Sequence, residues 1–91
     1  MSEPILLDPQ DDVAILTERA SSGDIPLGRG VPLTAGVSVG HKLARHDLAV
    51  GDPIRKFGAI IGYATEAIPA GAHVHSHNCS IGAHERDYAI G

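Results

Sequence analysis

The sequence predicts a mainly β domain made of short strands joined by long loops. Helical periodicity over three turns is hard to find, while short apolar runs alternate with turn clusters rich in glycine and proline. The 91 residues include 11 glycines and 6 prolines, and many short strands separated by such turns fit an all-β architecture best. A weak internal repeat of turn chemistry points the same way. The length suits one domain, residues 1–91, with 1–10 and 80–91 expected as loose ends.

The elements follow in order. Residues 12–18, Asp-Val-Ala-Ile-Leu-Thr-Glu, form the best early strand. The span from Ser21 to Gly40 holds five glycines and two prolines and predicts a long loop able to touch a partner or substrate. Residues 41–48 alternate loosely, with Lys42, Ala44 and His46 on one face and Leu43 and Arg45 on the other. Ala59-Ile60-Ile61-Gly62-Tyr63-Ala64 reads as a buried strand containing a glycine. Residues 72–78 complete the set.

The repeat consists of an apolar or small residue, two spacers, a glycine and a strand start. It occurs at Ala20-Ser-Ser-Gly23-Asp-Ile25, Leu48-Ala-Val-Gly51-Asp-Pro-Ile54 and Ile68-Pro-Ala-Gly71-Ala-His-Val74. The first residue anchors in the core, the chain reverses, and glycine takes a backbone angle that side-chained residues resist.

Composition excludes several classes. The formal charge of −4 lacks the basic face of a nucleic-acid module, and no apolar run is long enough to span a bilayer. The start, Met1-Ser2-Glu3-Pro4, lacks a secretory layout. A single cysteine, Cys79, rules out an internal disulfide, so the expected location is the cytoplasm. Phe57, Tyr63 and Tyr88 are the sole aromatics. Either aliphatic side chains pack the core well enough, or a partner chain supplies part of the stability.

The chemistry concentrates in His73-Val74-His75-Ser76-His77-Asn78. On a strand, alternate residues share a face, which puts His73, His75 and His77 on one side and Val74 and Ser76 on the other. Neighbours on that face are roughly 6.5–7 Å apart, so two imidazoles can lean onto one ion at about 2.0–2.1 Å per bond. His73 and His77 would be about 13 Å apart on an ideal strand, so an adjacent pair binds a given metal and other ligands come from elsewhere. The histidines could instead bind a carboxylate, act as acid or base near neutral pH, or cap a polar surface. Cys79 is a soft ligand or a buried small residue.

Gly40-His41-Lys42 forms a second constellation. His41 and Lys42 suit an anionic substrate, with Arg55-Lys56 adding local positive charge. A solvated edge strand, where lysine discourages aggregation, explains the same residues. Arg45, His46 and His84 carry no signal separable from ordinary surface. No Ser-His-Asp order, phosphate-cradling loop or zinc-finger spacing is present.

An ordered series of short motifs runs over residues 40–78: Gly40-His41-Lys42-Leu43-Ala44, Asp47-Leu48-Ala49-Val50-Gly51, Ile54-Arg55-Lys56-Phe57-Gly58, Ile61-Gly62-Tyr63-Ala64, Ile68-Pro69-Ala70-Gly71 and His73-Val74-His75-Ser76-His77-Asn78. Together they resemble the amino-terminal region of the altronate/galactarate dehydratase family, and Asp11-Asp12-Val13-Ala14 is similar to that family's opening strand. The resemblance implies a SAF domain of the β-clip type. It also implies a hydro-lyase setting, in which sugar acids are dehydrated to 2-keto-3-deoxy acids, often with ferrous iron (Fe2+) or another divalent metal.

In such enzymes this domain is fused to a large catalytic region or forms a separate chain, so the resemblance implies a large catalytic partner and no activity of the domain alone. The start and the Tyr88–Gly91 tail lead to the expectation of a separate small subunit, with homo-oligomers also possible. His75 and His77 are expected to serve catalysis or hold the metal, with His73 a weaker ligand candidate. Asn78 is expected to orient one of them or the substrate, and His41 and Lys42 to contact the substrate carboxylate. The rival readings are a non-catalytic module for sugar-acid binding or assembly, and the small subunit of a sulfolactate sulfo-lyase, whose leaving group is sulfite rather than water.

Overall fold

The first strand, β1 (Val13–Ile15), begins where the acidic pair Asp11-Asp12 gives way to an apolar run. The computed structural model describes residues 3–81, and these contain six strands and no helix. The others are β2 (Lys42–Ala44), β3 (Pro53–Lys56), β4 (Ala59–Ala64), β5 (His73–Val74) and β6 (Cys79–Ser80). They form two antiparallel three-stranded sheets, ordered β1-β2-β5 and β3-β4-β6. The mainly β expectation holds. His84 and Tyr88 lie outside the described residues.

Strand β2 departs from the expected alternation, because Leu43 and Ala44 are both fully buried. It is the central strand of its sheet, and both faces are covered. Ala44 joins a cluster with Val13, Leu48, Ile54, Ala64, Ile68 and Val74. Leu43 joins a second cluster with Leu16, Ala20, Leu33 and Val37. All of these side chains are aliphatic, whereas Phe57 is 74% exposed. The described core is therefore packed without an aromatic ring.

The turns of the repeat are physical, although no strand starts at Ile25. Ala20, Leu48 and Ile68 are buried and make isolated bridges, Ala20 to Val37 and Leu48 to Ile68. Gly23, Gly51 and Gly71 have φ of 92°, 87° and 90°, angles that side-chained residues avoid. In two of the turns an aspartate completes the cap. The Ser21 N–H donates to the Asp24 carboxylate at 2.8 Å, and the Ala49 N–H to Asp52 at 2.8 Å. In the third turn the equivalent of Ser21 is Pro69, which has no N–H to satisfy, and the residue in the aspartate's place is Ala72. Where the donor is gone, the acceptor is gone too.

The β3–β4 hairpin is held from behind by the acidic pair. Asp11 is 2% exposed. It accepts hydrogen bonds from the Phe57 N–H at 2.6 Å and the Gly58 N–H at 2.8 Å. These two residues turn the hairpin with φ of 56° and 79°. Asp12 accepts from the Arg55 N–H at 2.7 Å and pairs with His46 at 2.9 Å. Arg45 donates to the carbonyls of Pro9 and Asp11. Arg45 and His46, featureless in the sequence, thus fasten the acidic segment. Residues before it are also attached, through an Ile5–Ile15 bridge.

Strand β4 has the expected bounds but is not buried throughout. Ile60 is 47% exposed because this end approaches the hairpin tip. Register shifts between Ile54 and Arg55, where Ile54 faces Gly62 and Arg55 faces Ile60, so Ile61 is the extra residue of a β-bulge. A glycine inside a strand pattern is the sequence sign of such an irregularity or of close packing, and a Cβ at Gly62 would lie 2.8 Å from the Cys79 sulfur.

Candidate metal centre

The 72–78 segment is extended over two residues only, which corrects the expected strand. After Val74 the chain enters a turn, because Asn78, 5% exposed, competes for the backbone. Its side-chain oxygen accepts from the His75 N–H at 3.0 Å, and its amide nitrogen donates to the His73 carbonyl at 2.9 Å. The N–H groups of Asn78 and Cys79 both donate to the His75 carbonyl. Asn78 therefore orients the histidines through their backbone, and a side chain that bonds its own neighbours is a known rival to a strand ladder.

The turn gathers the rings instead of spacing them. His73 and His77 have ring centroids 5.5 Å apart, not the separation of an ideal strand. His73 and His75 stack at 5.4 Å with 9° between ring planes. His41 arrives from the residue before β2, because Leu43 pairs with His73. Its Nδ1 shares a hydrogen bond with His73 Nε2 at 2.9 Å.

The ligating atoms of His41, His73 and His75 all lie within 4.8 Å of one another. The convergent trio thus differs from the expected pair: His41 belongs to it, and His77 stands beside it. His41, read from the sequence as a substrate contact, is 32 positions from His73, and only pairing of β2 with β5 could have placed the two rings together.

Burial, followed by the neighbouring His41, His77, His75 and Lys42, pushes the His73 pKa down to about 4. At neutral pH its imidazole is uncharged and keeps a lone pair, as a metal ligand must. Three imidazole nitrogens at this spacing fit a first-row divalent ion, with coordination positions left for other ligands. Burial also raises the Cys79 pKa, opposed by Lys42, so Cys79 stays a thiol at neutral pH and is a poor ligand there.

Two clefts flank the trio. One, of about 470 Å³, is lined by Val31–Ala35, Val37, Glu66–Pro69, Ala72, His73, His77 and Asn78. The long loop therefore does form a wall beside the histidines. The other, of about 240 Å³, is lined by Lys42, Lys56, Ile61, His75, Ser76 and Cys79. His41 and Lys42, paired in the sequence reading, separate here: one enters the imidazole cluster and the other lines the second cleft.

The profile of the altronate/galactarate dehydratase SAF domain matches residues 2–82. The chain belongs to this family. Altronate dehydratase of Escherichia coli (strain K12) is 41% identical over 70 residues, 75% of this chain and 14% of the relative. Altronate dehydratase of Bacillus subtilis (strain 168) is 31% identical over 80 residues, 86% of this chain and 16% of the relative. The (2R)-sulfolactate sulfo-lyase subunit alpha of Chromohalobacter salexigens is 43% identical over 42 residues, 46% of this chain and 45% of the relative. The SAF chain thus spans about one-seventh of the length of the altronate dehydratases it matches and about half of the sulfo-lyase subunit. No helix among the described residues is long and apolar enough to cross a membrane.

Proposed function

We propose that this SAF domain contributes a three-histidine ligand set to the active site of a sugar-acid dehydratase, and that a large catalytic chain completes that site. The convergence of His41, His73 and His75 within 4.8 Å carries the reading, in a family whose relatives include altronate dehydratases. Dehydration of a hydroxy acid removes a proton beside the carboxylate and expels hydroxide from the next carbon. A divalent metal, Fe2+ being the family expectation, supplies positive charge where negative charge develops.

The chain's own residues do the positioning. His41, His73 and His75 would hold the metal through their ring nitrogens, and Asn78 fixes the turn that aims two of them. His77 lies against His73 and lines the larger cleft with Glu66, which supports a role for it in handling a proton beside the ligand set. The large partner supplies the base that takes the substrate proton and the remaining ligands.

A sulfo-lyase reading, with sulfite as leaving group, is supported by the match to a subunit named alpha; the same ligand set would serve either elimination. The domain acts in the cytoplasm, where a reduced Cys79 persists.

Metal binding by the 91-residue chain tests the ligand set. Calorimetric titration with a divalent metal should show a site weakened at least about tenfold in His41→Ala, in line with the loss of a ligand, and unchanged in His77→Ala. Equal damage from both variants, or no binding by the parent chain, overturns it. In the complex with the large chain, His41→Ala and His75→Ala should lower turnover per assembled complex. A purely assembly role predicts weaker association with turnover intact.

A further inference from the structure

We infer that the cleft between β2 and β3 is an oxyanion site that takes an acid group, carboxylate or sulfonate, of a small organic acid. Lys42 and Lys56 both line it, one from each sheet, together with Ser76, His75 and Cys79, and none of its lining residues is acidic. Neither lysine is paired with a carboxylate among the described residues. This happens in a chain of formal charge −4, where acidic partners for surface lysines are plentiful.

Two lysines lining one cleft concentrate positive charge there, which favours an anion. Their flexible stems hold a compact charge at the ends of three rotatable N–H bonds, which suits an oxyanion of either planar or tetrahedral shape. Ser76 adds a hydroxyl donor.

The backbone supports the same use. Ile61, the extra residue of the β4 bulge, forms part of the cleft wall, and bulges concentrate beside sites where a strand must re-aim its side chains. His75 belongs both to this cleft and to the imidazole trio. An acid bound here therefore lies next to the ligand set, and the site deepens the proposed reading by giving its substrate's acid group a place. It rests on that reading for the natural ligand, and on the cleft alone for anion binding.

The test is titration of the metal-free 91-residue chain with inorganic sulfate and, separately, with acetate, read by backbone amide NMR. Saturable shifts are expected in β2, β3 and residues 75–80 with both anions. Lys56→Gln should weaken them about tenfold, the scale of a lost charge-assisted hydrogen bond, while Lys56→Arg should retain them. A response to sulfate alone identifies a sulfonate-type ligand, and to acetate alone a carboxylate; either supports the site.

No saturable shift with either anion, or the same affinity in Lys56→Gln, overturns it. His41→Ala separates the two readings. Metal binding lost with anion binding kept supports both, and anion binding kept in a parent chain that binds no metal leaves this site standing while the metal centre falls.

Discussion

At the scale of single residues, the behaviour of the site turns on how reluctantly His73 takes a proton. His73 has a folded pKa of about 4 against an ordinary 6.5. Between those values the unfolded chain takes up a proton that the folded metal-free chain refuses, so stability falls as pH drops from about 6.5 toward 4. Measured by urea unfolding at a series of pH values, the metal-free chain should lose stability relative to His73→Gln across that window and hold a constant difference above it. A flat difference would mean that His73 is not shielded from protonation. The histidine-rich stretch was legible as the seat of chemistry, because three imidazoles in five residues are rarely accidental. The partners were not, since Asn78 turns the chain by bonding to its own neighbours and His41 arrives through pairing distant in sequence. Lys56 carried only a hint of positive charge, because its place beside Lys42 depends on how the two sheets meet.

At the scale of elements, turns decide more than strands. Strand β4 was readable to the residue, since Ala59–Ala64 is a continuous apolar run bounded by glycine and a polar turn. Strand β3 was marked only by the repeat, which sets a strand start at Ile54: Pro53 opens it and Arg55-Lys56 close it, so its composition alone does not mark a strand. What holds it is Asp11, a buried carboxylate supplied from outside the hairpin. Asp11→Ala leaves the Phe57 and Gly58 amides without their acceptor and should cost about 2–4 kcal/mol, taking 1–3 kcal/mol for each stranded donor and some relief by water. That is a fall in melting temperature on the order of 10 °C or more for a domain of this size. Phe57→Gly should cost little or stabilise by up to about 1 kcal/mol, because glycine accepts the positive φ without strain. Thermal melts of both variants check the pair. A large loss in Phe57→Gly would show that the exposed ring carries packing in the isolated domain. The glycine repeat was legible because Gly23, Gly51 and Gly71 sit at equal offsets from buried anchors, and the replacement of the aspartate by Ala72 in the third turn accompanies the amide that Pro69 lacks.

At the scale of the whole molecule, the proposed metal centre joins parts of the chain that only the folded state brings together, so an ion bound there would stabilise the fold by mass action. At 100 times its dissociation constant the gain is about 2.7 kcal/mol, and a chelator should remove it. The melting temperature should rise with added divalent metal in the parent chain and stay level in His41→Ala; a rise of the same size in both would place the ion elsewhere. The mainly β class was readable from glycine, proline and short apolar runs, whereas the division into two sheets was not, because strands of two or three residues leave no periodicity to follow. That division has a further meaning. The first sheet takes β1, β2 and β5, and the second takes β3, β4 and β6, so the two are interleaved along the chain. Neither sheet can be completed from one half of the polypeptide. While the chain is being synthesised, the first must wait for His73–Val74 and the second for Cys79–Ser80. No early fragment has a finished sheet in which to shelter, and the domain folds late and all at once.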